Sequence, residues 1–345
     1  MNKFVLGTII LLSISGVDAS QAAEKKASSI EDELKLRAGD EQGNELKALK
    51  TEMLVMRSEK KALEQLEKLK LRYKGTRMEP EILFRLGEIY MRRARTERFF
   101  EVHRDSNQIA RFAPEMVRTA SEVKQIRRAI SIYIDLEARF PRFRARDIVV
   151  FNTAYAYQQV GEDTNAEKQF QRLLSQHPNS SLVPDALLSL GEIQYSRRQF
   201  SGALAYFLKI KEYPEARVYP YGLYKAAWCK YNMQDETAGI KLLEDVIAFG
   251  HARAQDAASN SKLDLRKEAL GDLALFFSES KKAQDAVGYF AAQAKDLDAV
   301  PYILRLVEIY KRHSKYGEVD IVLRDVLAKL PKTEMIANVH EELIW

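Results

Sequence analysis

The residues from Pro184 to Pro214 hold two apolar stripes at helical spacing, and the same spacing returns along most of the chain. Leu187, Leu190 and Ile193 share one face of a predicted helix near 185–197. Ala203, Phe207 and Ile210 share one face of a second near 201–212. With Gly191 as origin, a small residue stands twelve positions on, a bulky one sixteen on and another nineteen on. Ala154 has Ala166, Phe170 and Leu173 at those offsets, and Ala227 has Gly239, Leu243 and Val246. Gly271 has Ala283, Val287 and Phe290, and Val307 has Val319, Leu323 and Val326. A further copy runs through Leu46, Leu49, Met53, Ala62, Leu66 and Leu69. Neighbouring copies lie 36 or 37 residues apart except across a linker, His251 to Asp264. A two-helix unit of this length leaves an apolar face open, which the next unit covers, so the chain is predicted to stack rather than close round one centre.

One copy is interrupted. Leu83, Leu86, Gly87 and Tyr90 begin it, but Ala129, Tyr133, Leu136 and Pro141 finish it, so Gly87 to Ala129 is 42 residues instead of 12. The insert, 91–128, keeps a helical pattern on both sides of a break near Asn107 to Pro114. Both helices of this pair are therefore expected to run on as a projecting hairpin, by about 22 Å at 1.5 Å per residue. The insert holds nine Arg and one Lys against five Asp or Glu. Arg92, Arg93, Arg95, Arg98, Arg104 and Arg111 make it a candidate dock for an acidic partner or a headgroup surface. Equally, Phe99, Phe100 and Phe112 can hold its helices together while the arginines stay solvated.

Composition excludes some classes. At 46% hydrophobic and 30% charged, with 15 Gly and 9 Pro, the 345 residues describe a folded, helix-rich protein rather than a disordered one. The 54 basic and 49 acidic residues are intermixed, which argues against a nucleic-acid face. Lys3 followed by the apolar run Phe4 to Ile14 and small residues at Val17-Asp18-Ala19 and Ser20-Gln21-Ala22 reads as a signal peptide, cleaved after 19 or 22. That implies export to the periplasm, with a polar leader following to residue 44. No later stretch is apolar enough to span a bilayer. The lone Cys229 falls inside a predicted helix and reads as a buried, inert thiol.

Leu190-Gly191, Ala203, Phe207 and Pro214, together with Leu306, Tyr310 and Pro331 and with Leu86-Gly87-Tyr90, resemble the tetratricopeptide repeat. The resemblance covers roughly 45–331. It implies an all-α, right-handed superhelical solenoid of helix-turn-helix repeats with one elongated helical hairpin. Pairs are expected near 45–76, 80–141, 147–179, 184–214, 220–250, 265–296 and 300–331. The helix at 333–345 is either a cap or the first half of a further pair of a longer array, and apolar Ile344-Trp345 favours the latter.

In that family the first helix of each pair lines a groove, and residues beside the packing positions face the ligand. Mapped here, they are Phe151, Asn152, Tyr155, Gln158 and Gln159, then Leu188, Glu192, Tyr195 and Ser196, then Tyr221, Tyr224, Lys225, Trp228, Tyr231 and Asn232. Rings and amides in this arrangement suit a peptide or helix, although each ring can instead pack between neighbouring first helices. The Lys and Asn set with which some relatives hold a terminal carboxylate is not reproduced; only Asn152, Lys225 and Asn232 are suggestive. The resemblance implies protein partners among envelope components, with gliding motility the preferred process. Two alternatives stay open: a peptidoglycan- or glycan-binding module, with peripheral membrane or glycan contact, and an accessory domain of a larger envelope protein or enzyme. No catalytic constellation is visible. None of His103, His177, His251, His313 and His340 has a second His one helical turn away, and phosphate loops and nucleophile elbows are missing. The expectation is a scaffold that is not an enzyme and takes no cofactor or metal. Glu88 and Glu192 read as solvated charge, and His177 and His251 as caps at helix ends.

Overall fold

The computed structural model describes residues 42–104, 118–254, 264–330 and 335–344, all of them helix, turn or connecting loop. The signal and leader expectations, Arg111, Phe112 and Trp345 lie outside the described residues. In chain order the helices are α1 Gln42–Arg72, α2 Glu79–Arg104, α3 Ala120–Arg139, α4 Arg146–Gln159, α5 Asp163–Gln176, α6 Val183–Ser196 and α7 Phe200–Lys209. They continue as α8 Tyr219–Asn232, α9 Glu236–Ala254, α10 Arg266–Ser280, α11 Ala286–Ala294, α12 Val300–Arg312, α13 Tyr316–Lys329 and α14 Ile336–Ile344. The chain divides into two compact units, Asn2–Gln169 and Phe170–Trp345. Within each unit successive helices pack as the pairs expected of tetratricopeptide repeats: α2/α3 in the first, and α6/α7, α8/α9, α10/α11 and α12/α13 in the second, with α14 following.

In the first unit the core lies between α2, α3 and α4. Leu83, Leu86, Ala129, Tyr133, Leu136 and Val149 are buried there, and Leu63 and Leu66 of α1 pack against them. The longer part of the hairpin has its own apolar layer, Ala94, Ile126 and Ile130, closed by Ala156 of α4. α2 is 26 residues long against 14 for α4, an extension of about 18 Å at 1.5 Å per residue. Thr119 opens α3 with a capping box: its hydroxyl accepts from Glu122 N and the Glu122 side chain accepts from Thr119 N.

The stretch at 45–76 does not form a pair. It is one uninterrupted helix, α1, of 31 residues. From Glu45 to Arg72 there is neither Gly nor Pro, so nothing relieves the backbone at the point where a turn was expected. Leu54 and Val55 stay exposed on it.

In the second unit one continuous core runs from Leu187 through Ala203, Phe207, Leu223, Ala227 and Leu243 to Phe277, Val287, Leu306, Leu323 and Val339. The α14 helix joins through Val339 and through Lys311, whose ammonium pairs with Glu342.

The turns between paired helices repeat as faithfully as the packing does. Gly161 in the first unit, and Arg198, Gln234 and Ser314 in the second, all have φ between 57° and 79°. Each occupies the left-handed residue that closes the first helix of its pair. The α10/α11 pair lacks it and enters its second helix by a 3₁₀ turn, Ala283–Asp285.

Two expectations about histidines and the linker change. The α9 helix continues to Ala254, so His251 lies within it. His251 is buried and does not serve the carbonyls of its own helix. Its Nε2 lies 2.9 Å from the Gln293 carbonyl and its Nδ1 2.8 Å from Asp296 Oδ1. Burying that ring against α11 offsets its desolvation with two oxygen partners.

Candidate functional site: an arginine-lined cleft in the first unit

The extension of α2 and α3 leaves a gap beside α4 that a hairpin of ordinary length would not make. It is a cleft of about 220 Å³. Its apolar lining is Met91, Ala94 and Ile126; its polar lining includes Arg92, Arg95, Arg98, Glu88, Glu122, Asn152, Tyr155 and Gln159. Two sets of residues singled out from sequence thus meet here: three hairpin arginines and three of the α4 groove residues.

The arginines are not equivalent. Arg98 pairs with Glu122 at 3.2 Å, and the capping box holds that carboxylate in place. Arg93 points elsewhere, onto Glu97 at 2.6 Å, and Glu97 also receives Ser121 and Gln125 of α3. That group clamps the hairpin together. Arg92 and Arg95 are exposed and make no ion pair with any described residue. Their field reaches Glu59 of α1, which is buried, accepts from Thr96, and leaves Oε2 without a hydrogen bond. Burial lifts the Glu59 carboxyl above the ordinary carboxylate range, against the opposing pull of Thr96, Arg92 and Arg95. Arg104 is carried on the last turn of α2.

The floor is set by Tyr133. Its ring is fully buried against Gly87 and its hydroxyl receives Asn152 Nδ2 at 3.4 Å. Burial, with Glu88 nearby, pushes the phenol well above its usual range, so it stays protonated. Tyr155 is 42% exposed, with Phe151 stacked beside it at 6.5 Å between centroids. Gln158 and Gln159 are half-buried.

In the second unit the groove residues are brought together, but largely with one another. Tyr224 and Trp228 both donate to Asp272 of α10, the indole at 3.1 Å, and Arg305 of α12 holds the other carboxylate oxygen at 3.2 Å. Burial and Asp272 push the Tyr224 phenol up to about 12. Tyr231 stacks on Phe276 at 4.5 Å and donates to Glu279 at 2.8 Å. Asn232 donates to the Tyr195 hydroxyl at 3.1 Å. Lys225 stands over the rings of both Tyr195 and Tyr221, at 5.4 and 5.2 Å. Glu192 accepts from Tyr221; burial raises its carboxyl against the pull of Lys225 and Tyr221. Leu188 packs against the core, and Ser196 is exposed, returning its hydroxyl to Ile193 O at 2.9 Å. These six aromatic residues therefore join three successive first helices.

Asp272 was not singled out from the sequence. The available signal was its place directly after Gly271 on a predicted first helix, where a carboxylate beside the packing position meets the polar tips of the preceding helix. Glu122 carried a clearer signal, Thr119-x-x-Glu122 before an apolar run.

No curated protein matches the sequence. The family model described as Tetratricopeptide repeat matches residues 149–180 and 221–248, on α4/α5 and α8/α9. Among solved structures the chain is similar to PilW, described as a widely conserved type IV pilus biogenesis factor, at 18% identity and TM-score 0.38, covering 68% of this chain and 99% of that one. It is similar to the C-terminal part of a TPR repeat-containing protein from Cytophaga hutchinsonii at 14% identity and TM-score 0.41, covering 84% and 98%. It is also similar to the apo quorum sensor NprR from B. thuringiensis at 17% identity and TM-score 0.39, covering 90% and 94%. The two family matches begin 72 residues apart, two repeat lengths, so the residues they cover, on α4/α5 and α8/α9, match tetratricopeptide repeats.

Proposed function

We propose that the chain is a non-catalytic interaction scaffold of the cell envelope, exported by its N-terminal signal sequence, and that the cleft of the first unit holds an acidic segment of a partner protein. The observation that carries this is the pair Arg92 and Arg95, exposed, unpaired among the described residues, and set beside Asn152, Gln159 and an apolar floor. A guanidinium gains most from a carboxylate when the contact is partly desolvated. The neighbouring amides can satisfy the backbone of an extended chain. The second unit is the more self-satisfied of the two, since Asp272 and Glu279 already occupy the polar tips of Tyr224, Trp228 and Tyr231. It supports the array more than it recruits.

The test is affinity capture with the tagged mature protein, followed by competition with a synthetic peptide copied from the acidic stretch of the captured protein. The proposal expects a protein prey that the peptide displaces and that an Arg92→Glu/Arg95→Glu variant loses, while circular dichroism shows an unchanged fold. Retention of purified peptidoglycan sacculi with no protein prey would overturn it in favour of glycan binding.

A further inference from the structure

The opposite end of the first unit, away from the hairpin, carries a second concentration of charge that the cleft does not use. There α1 ends, α2 begins, α3 ends and α4 begins. From Lys68 to Met78 inclusive there are five cations and no acid, and from Ala138 to Arg146 inclusive four arginines and no acid. Glu79 ties these two segments into one surface. Its side chain is 1% exposed, accepts from Gly75 N of the first segment at 2.6 Å and pairs with Arg139 of the second. Phe84 and Phe143, 5.6 Å between centroids, pin the second segment to α2 from below.

The carboxylates nearby are already engaged. Glu79 and Asp135 hold Arg139, Glu81 faces Arg85 at 3.3 Å and Arg144 at 3.5 Å, and Glu137 holds Arg146 at 3.3 Å. Arg77 and Arg142 are exposed and make no ion pair with any described residue, and Lys74 is exposed beside them. Two large aliphatic side chains project among these cations: Leu71, 77% exposed, and Met78, 54% exposed.

We propose that this end of the first unit docks on an anionic phospholipid surface, with Arg77, Arg142 and Lys74 against the phosphates and Leu71 and Met78 entering the headgroup boundary. Charge alone would suit any polyanion. The exposed aliphatics decide for lipid, because an interface of cations around protruding apolar side chains gains from both the surface potential and burial at the acyl boundary. Glu79 joins Gly75 to Arg139 and Glu81 reaches Arg144, so the two cationic segments adjoin and can meet one surface together. With this end on the membrane, α2 and α3 carry the hairpin and its cleft outward from the lipid.

The experiment is co-sedimentation of the full mature chain with vesicles of 30% phosphatidylglycerol in phosphatidylcholine, and with pure phosphatidylcholine. Binding is expected only to the anionic vesicles, and to weaken in high salt. Arg77→Glu/Arg142→Glu should lower the partition coefficient by about tenfold or more. Leu71→Ser/Met78→Ser should lower it as well. All four positions are exposed, so the helical signal should be unchanged. The proposal is overturned if wild type ignores the anionic vesicles or if the charge-reversed variant binds them as wild type does. It is also overturned if the serine variant binds unchanged, which would mark the surface as one for an acidic polymer. The cleft variant Arg92→Glu/Arg95→Glu should bind vesicles normally, which keeps this test separate from that of partner capture.

Discussion

The ring of Phe207 occupies the space that a side chain on Gly191 would need. A Cβ there would stand 2.6 Å from Phe207 Cδ1, and one on Gly87 would stand 2.6 Å from Tyr133 Cζ. The two pairs are the same contact in two repeats, although 16 residues separate the first and 46 the second. The insert therefore lengthens the helices without moving the crossing point.

Gly191→Ala should cost about 1–3 kcal/mol through overpacking, and Phe207→Ala about 3–5 kcal/mol through the cavity left behind. The double substitution should cost less than the sum, because the new methyl has room once the ring is gone. Urea denaturation of the three variants checks this; strict additivity would show that the two residues do not compete for one space.

The left-handed turn residues predict gains. Gln234 and Arg198, at φ 61° and 58°, sit where an L side chain is strained. Gln234→Gly or Arg198→Gly should raise stability by about 0.5–1 kcal/mol, the relief outweighing the added freedom of the unfolded chain. Gly161→Ala should do the reverse. Thermal melts of single substitutions are sufficient to decide.

Two buried carboxyls should pull stability in opposite directions with pH. Glu59 is raised by burial, so the folded state holds its proton more tightly than the unfolded chain. Its contribution is therefore fully present at low pH and is lost as pH rises through the carboxylate range and up to the raised folded value. Glu59→Gln should remove that slope and stabilise the protein near neutrality by about 1 kcal/mol, since Oε2 has no partner there. Glu79 is lowered by the Gly75 amide and then by Arg139, so its contribution is present above the ordinary carboxylate range and lost as pH falls through its folded value. Glu79→Gln should flatten the acid limb. Melting temperature against pH for both variants tests the signs; parallel slopes would contradict them.

Asp272 should behave as a structural hub. Asp272→Ala strands the Tyr224 hydroxyl, the Trp228 indole and Arg305, and should cost about 1–3 kcal/mol. Asp272→Asn removes the charge while keeping an acceptor, so Tyr224 should titrate below the value of about 12 that burial and Asp272 impose together. Absorbance of the phenolate against pH reports this directly.

The stacking was legible in the residues because it rests on local order. Gly191 and Phe207 contact each other within one pair, with Leu190 and Ala203 buried on the same two helices, and a 36- or 37-residue period repeats the arrangement, so spacing alone announces it. Helix continuity in α1 is not legible in its apolar spacing, which reads the same whether or not a turn interrupts it; the sequence signal is the lack of Gly and Pro from Glu45 to Arg72. The fate of the polar tips lay beyond reach for another reason. Tyr224 and Trp228 look like ligand-facing aromatics until Asp272, 48 and 44 residues away, is placed against them. The cleft likewise exists only because α2 and α3 overshoot α4 and bring Arg92 and Arg95 beside Asn152 and Gln159. Periodicity prescribes which face of each helix is buried, since that needs only contacts along a helix and to its neighbour. Which exposed charges are already spent, and which remain free for a partner, depends on distances between residues far apart in the chain, and only packing decides those.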